Sequence, residues 1–194
     1  WGSASTGVSG NVSIANSLMG GQAGCLLGTG GFFGYKGIYS LANGNYVVNS
    51  PFWKTGGLSD VGAVTWGNGA TGISGLVSSI NSLVGSQSND KVGSQGTTTL
   101  NNGNYVVNSS SWKNGSLASA GAVTWGNGST GVSGAVSAGN SLVGGKANDQ
   151  LGNGSLGNNN AITAYNDGNY VVKTANWSNG NVLSVGAGTL GKGN

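Results

Sequence analysis

The chain repeats itself at an interval of about 60 residues, and this repetition limits its possible architectures more than any other feature. The sequence Asn-Gly-Asn-Tyr-Val-Val begins at Asn43 and at Asn102, and a diverged copy begins at Asp167. Each copy is followed by a tryptophan at the same distance, and these are Trp53, Trp112 and Trp177. We therefore expect a single repeat domain, residues 1–194, with three units at approximately residues 1–65, 66–124 and 125–194.

Two markers within the unit measure its length. The tyrosines Tyr46, Tyr105 and Tyr170 are separated by 59 and then 65 residues, whereas the Asn-Ser-Leu sequences that begin at residues 16, 81 and 140 are separated by 65 and then 59. A six-residue insertion therefore lies between the second marker and the Tyr, within residues 29–40 and again within residues 151–165. Extra length confined to one segment is typical of a surface loop.

The short apolar segments of each unit predict β-strands. Tyr-Val-Val is apolar on both faces and predicts an inner strand, with Gly-Ala-Val-Thr-Trp as its neighbour. Leu83 and Val84 predict a third strand, residues 97–100 predict a fourth, and the Asn-Gly pairs suit tight turns. Apolar residues at helical spacing over residues 73–84 compete with this interpretation, but the glycines and serines among them favour a loop followed by a strand.

About four strands per unit is typical of a propeller blade. We therefore predict an all-β fold of β-propeller-like blades, with a three-fold closed β-barrel of trefoil or prism type and a β-solenoid as alternatives. Trp1 aligns with Trp66 and Trp125, each of which follows Gly-Ala-Val-Thr, and the chain ends with a diverged copy, Gly-Ala-Gly-Thr-Leu, at residues 186–190. Two explanations stay open. The last strand closes a ring at the position left empty at the start, or the chain is an excised piece of a longer array.

Composition excludes most catalytic and ligand-binding chemistry. Only 6% of the residues are charged, and the chain has seven Lys, four Asp and no His, Glu or Arg. A general base for nucleophilic catalysis is therefore missing, and the four Asp residues do not gather in one loop as calcium would require. The net charge of +3 comes from scattered lysines, unlike a nucleic-acid interface. We expect no enzyme activity, no metal, no cofactor, no nucleic acid and no membrane insertion.

Repeated aromatic and amide side chains are the remaining candidates for ligand binding. Trp53 and Trp112 are each followed by Lys in surroundings rich in Gly, Asn and Ser, which favours exposed loops, whereas Trp66 and Trp125 continue apolar strands and are expected in the core. Exposed tryptophans can stack on sugar rings while nearby amides bind hydroxyl groups. The predicted ligand-binding residues are Trp53, Trp112, Trp177, Asn49, Asn108 and Asn176.

Three short sequences of the middle unit resemble a known type of repeat. Asn-Asp-Lys-Val-Gly at residues 89–93, Asn-Gly-Asn-Tyr-Val-Val at residues 102–107 and Gly-Ala-Val-Thr-Trp at residues 121–125 resemble the repeat of filamentous-haemagglutinin-type bacterial exoproteins. Their order is similar to that of FG-GAP β-propeller blades. The resemblance implies a large adhesin that is secreted or held at the bacterial cell surface. The calcium loops of FG-GAP blades are not matched, because residues 43–45 and 102–104 carry no carboxylate.

Two functions follow from these observations. The first is a secreted, non-enzymatic surface-adhesion or extracellular-matrix module that binds glycans or other surface polymers through the repeated Trp positions. The alternative is a purely structural spacer or fibre-forming segment of a large exoprotein, with no ligand. In both cases we expect self-association, as a homodimer or by stacking of repeats. A binding module should expose its tryptophans, whereas a spacer should bury each one between neighbouring units.

Overall fold

The structure of the chain is a computed structural model that describes residues 7–31, 34–154 and 161–193. Trp1, the aromatic pair at residues 32 and 33, and much of the second insertion lie outside the described residues. Helix makes up 1% of the structure and strand 36%. The predicted all-β fold is therefore confirmed, and residues 73–84 form a loop and short strands rather than a helix, as expected.

Fourteen short strands occur in the described part of the chain. In order they are β1 Leu18–Met19, β2 Ile38–Ser40, β3 Tyr46–Ser50, β4 Ala63–Gly67, β5 Gly75–Leu76, β6 Ser82–Val84, β7 Thr97–Thr99, β8 Tyr105–Ser109, β9 Ala122–Gly126, β10 Gly134–Ala135, β11 Leu142–Val143, β12 Ile162–Ala164, β13 Tyr170–Thr174 and β14 Ala187–Gly191.

The strands form three small antiparallel sheets, and each of the first two includes a strand from the unit that follows. The first sheet has the order β6-β4-β3-β2, the second β11-β9-β8-β7, and the third β12-β13-β14. As predicted, the Tyr-Val-Val strand lies in the middle and pairs with the Gly-Ala-Val-Thr strand, so that Val48 is opposite Thr65 in the first sheet and Val107 opposite Thr124 in the second. The expected third and fourth strands are also present, as β6, β11 and β7.

A tyrosine lies over a glycine at the same position of every sheet. Tyr46 pairs with Gly67, Tyr105 with Gly126 and Tyr170 with Gly191 across the two central strands. A Cβ atom on any of these glycines would overlap the tyrosine ring. The glycine after each Gly-Ala-Val-Thr sequence is therefore required by cross-strand packing as well as by the turn that follows it.

Successive units are joined by short parallel pairings. Strand β1 pairs with β5, and β6 pairs with β10, which adds a fifth strand to the first sheet. Strand β2 also contacts β7, and β7 contacts β12, so the three sheets follow one another in chain order. The described strands form no closed barrel, and β14 pairs only with β13. Among the described residues β14 therefore does not close a ring, and the strand pairing gives the propeller interpretation no support.

The tyrosine-over-glycine packing predicts the effect of Gly126→Ala. The added methyl group would overlap the buried ring of Tyr105, so the free energy of unfolding should fall by about 1–3 kcal/mol. Gly188→Ala is the matched control, because it lies in the equivalent strand and no atom lies within 4 Å of a Cβ placed there. We expect that control to stay within about 0.5 kcal/mol of the native protein in a denaturant titration. Equal losses for the two variants would contradict this packing.

Candidate functional site at the contacts between units

The tryptophans predicted to bind a ligand lie inside the protein. Trp53 and Trp112 are each only 4% exposed, and Trp177 is partly buried. The prediction that this set is exposed is therefore wrong, because the turn after the central strand folds back and carries the ring into a core shared between sheets. The backbone N–H of Trp53 donates to the carbonyl of Ser50 at 3.0 Å and closes this turn. Trp66 and Trp125, expected to be core residues, are only partly buried.

The predicted amide partners do not form a ligand surface with these tryptophans either. Asn49 is fully buried; it donates to the carbonyl of Gly93 at 3.3 Å and accepts the Thr97 hydroxyl at 3.0 Å. Asn108 is buried as well, and its Oδ1 has no hydrogen-bond partner. Asn176 is exposed, and its amide donates to Gln150. Asn49 therefore links the first sheet to the second, instead of binding a sugar.

Each repeated tryptophan lies in or against a hydrophobic cluster that draws residues from more than one unit. Trp112, which follows β8, belongs to a cluster that includes Val47 and Val64 of the first sheet. Trp53 packs in a cluster with Cys25 ahead of it in the chain, and Trp177 packs against the cluster that joins the second sheet to the third. The tryptophans are thus part of the contacts between units. Full burial of a Trp side chain contributes several kcal/mol to stability, because truncating one costs about 3–5 kcal/mol.

The Asn-Gly-Asn sequence binds the next sheet through its amides. Asn43 and Asn45 both donate Nδ2 to the carbonyl of Gly128 at 2.8 Å, and Trp66 Nε1 donates to the same carbonyl at 2.9 Å. Gly128 lies in the turn after β9, in the second sheet. Asn45 also accepts the N–H of Gly69 in its own sheet at 2.9 Å. One Asn side chain therefore joins two equivalent turns of successive sheets.

The same arrangement recurs one unit later. Asn102 and Asn104 donate to the carbonyl of Gly193 at 2.8 and 2.6 Å, and Asn104 accepts the N–H of Gly128 at 2.8 Å. The loop glycine Gly103 lies against the side chain of Asn43 and has a φ of +86°. The sequence predicts that these Asn and Gly residues are turn residues. Turn chemistry does not reveal that the asparagines link units. The signal was the constant spacing between Asn-Gly-Asn and Gly-Asn-Gly.

The diverged third copy departs from this pattern at Asp167. Its carboxylate accepts the backbone N–H of Asn169 at 2.9 Å and the Nδ2 of the same residue at 2.7 Å. A carboxylate has no hydrogen to donate to a carbonyl of a further unit. The third loop, Asp-Gly-Asn, therefore uses its polar groups locally. The repeated amide contact is made by the first two loops.

Two equivalent buried carboxylates, those of Asp90 and Asp149, each bind the loop that directly follows a repeated tryptophan. Asp90 is fully buried; its Oδ2 accepts the N–H groups of Ser86 and Gln87, both at 2.9 Å, and its Oδ1 accepts the N–H of Lys113 at 3.2 Å. Lys113 directly follows Trp112. Asp149 repeats all three contacts with Gly145, Lys146 and Ser178. These Asp residues hold backbone donors, so their equivalent positions reflect structure rather than catalysis.

Cys25 occupies the same position of the unit as these two Asp residues. Its thiol is buried and lies 3.3 Å from the carbonyl of Gly20, and 3.9 Å from the carbonyl of Lys54, the residue after Trp53. The thiol therefore donates towards carbonyl groups where the carboxylates accept N–H groups. A neutral side chain can fill this position when the surrounding backbone presents acceptors.

Burial controls the ionisation of Asp90. It raises the pKa of the Asp90 carboxyl above its ordinary value of 3.8, and the three backbone donors and the charge of Lys113 oppose that rise only in part. The folded protein therefore binds this proton more tightly than the unfolded chain does. As the pH rises through the interval between the two pKa values, the unfolded chain loses the proton first, and the free energy of unfolding falls.

The carboxylate contacts predict a large effect of Asp90→Asn. The amide keeps only one acceptor oxygen, so at least one buried backbone N–H loses its partner, and the free energy of unfolding at neutral pH should fall by about 1–3 kcal/mol. Asp60→Asn is the control, since Asp60 is partly exposed and Ser119 and Ser184 replace it in the other units. Urea titrations of both variants measure the difference.

The same pair of variants tests the ionisation of Asp90. The native protein and Asp60→Asn should lose stability as the pH rises above about 3.8. Asp90→Asn should lack that part of the pH dependence, because it has no proton to lose at this position. Burial does not dominate the pKa of Asp90 if Asp90→Asn keeps the native pH dependence of stability. The same holds if the native protein becomes more stable as the pH rises.

A polar cavity lies between the first insertion and the second sheet. Its volume is about 300 Å³, and it is lined by Gly34, Tyr35, Lys36, Tyr39, Gln95, Thr97, Thr98 and Asn108. Burial raises the pKa of both tyrosines. Asn108, whose buried Oδ1 has no hydrogen-bond partner, is one of the lining residues. Two phenol rings, amides and hydroxyls suit an uncharged, hydroxyl-rich ligand better than an ionic one.

No metal-binding cluster and no membrane-spanning helix is found in the part of the chain that the structure describes. No group of three or more His, Cys, Asp or Glu side chains is positioned there to hold a metal ion. None of its helical segments has the length and apolar character needed to cross a bilayer.

The fold and these contacts define an all-β repeat protein whose units are joined by shared sheets, apolar clusters and hydrogen bonds. The chain belongs to the family described as "Repeat of unknown function (DUF5650)", which matches residues 1–29, 40–94, 99–153 and 164–194. Comparison with curated proteins and with solved structures gave no significant match. The predicted repeat character is thus confirmed, while nothing in these comparisons links the chain to filamentous-haemagglutinin-type exoproteins or to FG-GAP blades.

Proposed function

We propose that this chain is a structural spacer: a stack of repeat units that extends a secreted or surface-attached bacterial protein. The observation that carries the proposal is the burial of Trp53 and Trp112 between units. A ligand-binding repeat needs its recurring aromatic side chains at the surface. Here they serve as packing residues, which is the arrangement expected of a spacer.

The recurring polar side chains support the same proposal. Asn43, Asn45, Asn102 and Asn104 use their amides on the carbonyl of a neighbouring unit, and Asp90 holds the loop behind Trp112. The residues that repeat with the unit are therefore engaged in contacts between units. Stability of such a stack is a sum of intrinsic terms and nearest-neighbour terms, so adding units extends it without a new fold.

The location outside the cytoplasm rests on composition and resemblance. Few charged residues, many Gly, Asn, Ser and Thr residues and a single Cys are typical of exported bacterial surface proteins. The sequences at residues 89–93, 102–107 and 121–125 resemble exoprotein repeats. A spacer in such a protein would hold another domain at a set distance from the cell.

Duplicating one unit tests the spacer function directly. A second copy of residues 66–124 placed after residue 124 restores the junction between Thr and Trp that joins the units. Because each unit packs on its neighbour, we expect the maximum dimension in small-angle X-ray scattering to increase by the same amount for each unit added, with a matching gain in β-strand circular dichroism.

The control carries the same 59 inserted residues in shuffled order. It should add no strand signal and should give the scattering of a folded domain with a flexible insertion. If the particle instead becomes wider at constant length as units are added, the units close around an axis, and the spacer proposal is wrong.

A glycan-binding module is the second candidate, favoured by the cavity between the first insertion and the second sheet. Asn108, Tyr35 and Gln95 line this cavity together, and they offer amide groups beside an aromatic ring. Sugar hydroxyls could hydrogen-bond the amide and hydroxyl groups of this lining while the ring contacts tyrosine, as in many carbohydrate sites with aromatic walls. This site differs from the repeated Trp positions, and it occurs once in the described residues, at the first insertion.

Glycan-array binding followed by calorimetry tests this second candidate. Tyr35→Ala should weaken binding about fivefold, because an aromatic contact contributes roughly 1 kcal/mol. Tyr165→Ala is the control, since Tyr165 is 47% exposed and lies outside the cavity. Binding that responds equally to both changes, or no binding to any neutral glycan, removes this candidate.

A further inference from the structure

The Asn-Gly pairs of this chain carry a chemical reactivity of their own. The backbone nitrogen of the glycine can attack Cγ of the asparagine side chain, because glycine has no Cβ to hinder the approach. Five such pairs lie within the first two sheets and their turns, and they begin at residues 43, 68, 102, 114 and 127. The hydrogen bonds around each pair determine whether it is free to react.

In four of these five pairs a hydrogen bond occupies the N–H of the glycine. Gly44 donates to the carbonyl of Leu41 at 3.1 Å. Donations of the same kind are made by Gly69, Gly103 and Gly128, at 2.9, 3.0 and 2.8 Å. A nitrogen whose hydrogen is held by an acceptor must break that bond before it can lose the proton and attack. The folded structure therefore protects these four pairs.

The pair Asn114-Gly115 differs at the attacking atom. Its glycine lies in the hairpin turn at residues 114–117, shortly after Trp112, and is exposed. The N–H of Gly115 donates to no other group among the described residues. A Cβ placed on Gly115 would have no atom within 4 Å, so water has open access to this side of the turn. The fold therefore leaves the nitrogen of this pair free.

We propose that Asn114 is a site of spontaneous deamidation. The nitrogen of Gly115 loses its proton to solvent and forms a bond to Cγ of Asn114. The bond from Cγ to Nδ2 breaks, and ammonia leaves with a proton taken from solvent, so that a cyclic imide remains. Water then adds to either carbonyl of the imide and opens the ring, which leaves aspartate or isoaspartate at this position. Solvent water is the only reactant that the chain does not supply.

The amide that reacts holds a contact between the middle unit and the third. Nδ2 of Asn114 donates to the carbonyl of Gly144 at 2.9 Å, and Gly144 is buried. The loop that begins at Gly144 also contains Asp149, which accepts the N–H of Ser178 behind the third central strand. A carboxylate has no hydrogen to donate. Deamidation therefore removes the partner of the Gly144 carbonyl and places a negative charge beside it.

Isoaspartate disturbs the turn further, because its main chain passes through the former side chain and is one carbon longer. The backbone groups of Asn114 and Leu117 exchange two hydrogen bonds across the turn, at 3.1 and 3.0 Å. The carbonyl of Gly115 accepts Nε2 of Gln87, in the loop of Asp90, at 2.8 Å. A longer main chain cannot keep all three contacts in place. Modification at this one residue thus loosens the turn on both of its sides.

Peptide mapping by mass spectrometry of the folded protein measures the reaction at each asparagine. During incubation at mildly alkaline pH in water enriched in heavy oxygen, Asn114 should take up label about tenfold faster than Asn43. That factor corresponds to about 1.4 kcal/mol, the free energy needed to open one hydrogen bond at the glycine nitrogen. Asn43 is the matched control because Gly44 is also exposed, while its N–H is bonded to Leu41.

The same measurement in concentrated urea removes the folded contacts. Both asparagines are followed by glycine, so their rates should become similar in the unfolded chain. The proposal is wrong if Asn114 reacts no faster than Asn43 in the folded protein. It is also wrong if the unfolded chain keeps the full difference, since the local sequence would then explain it.

Two variants connect the reaction to the contact between units. Asn114→Asp imitates one product and should unfold at a lower urea concentration than the fresh native protein. Asn114→Thr cannot form the imide, and Thr55 occupies the same position of the first unit, so threonine fits this turn. On ageing, the native protein should lose more of its urea resistance than Asn114→Thr does.

Equal losses on ageing, or an unchanged unfolding midpoint in Asn114→Asp, would overturn the effect on the contact. The inference goes beyond the spacer function and does not depend on it. None of these measurements reports the length of the stack, so the unit-duplication experiment can fail while they succeed, and the reverse.

Discussion

Everything in this structure depends on the burial of both faces of the central strands. Val47 in β3 and Val106 and Val107 in β8 are fully buried, so a single sheet cannot provide its own cover. Each sheet must be packed against the next, and the tryptophan behind each central strand fills the space between them. A unit that cannot bury its apolar faces alone becomes stable only as part of a stack.

Polar groups give this stack its register. Apolar packing alone tolerates sliding, whereas the carbonyl of Gly128 must meet the amides of Asn43 and Asn45, and the N–H of Lys113 must meet Asp90. Leaving such a buried group without a partner costs about 1–3 kcal/mol, which penalises every other alignment of the sheets.

The predicted exposure of Trp53 and Trp112 was wrong because a local property was used to infer a long-range one. Gly56, Gly57 and Lys54 around Trp53 suggested an exposed loop, and parts of that loop are indeed exposed. The ring itself turns inward, because a cluster containing Val84 of the neighbouring strand lies where solvent was expected. In the same way, Asn43 was interpreted as a turn residue, and only its distance to Gly128 shows what the amide binds.

The sequence by itself determined the repeat, the 59-residue unit with its insertions, the strand positions and the strand neighbours within each sheet. These follow from periodicity and turn chemistry, which act over a few residues. Only the tertiary structure decided that the sheets stack without closing, that Trp53 and Trp112 are core residues, and that the asparagines link units. The reason is physical: whether a side chain is buried depends on which unit packs over it, and that contact joins residues some 60–90 positions apart.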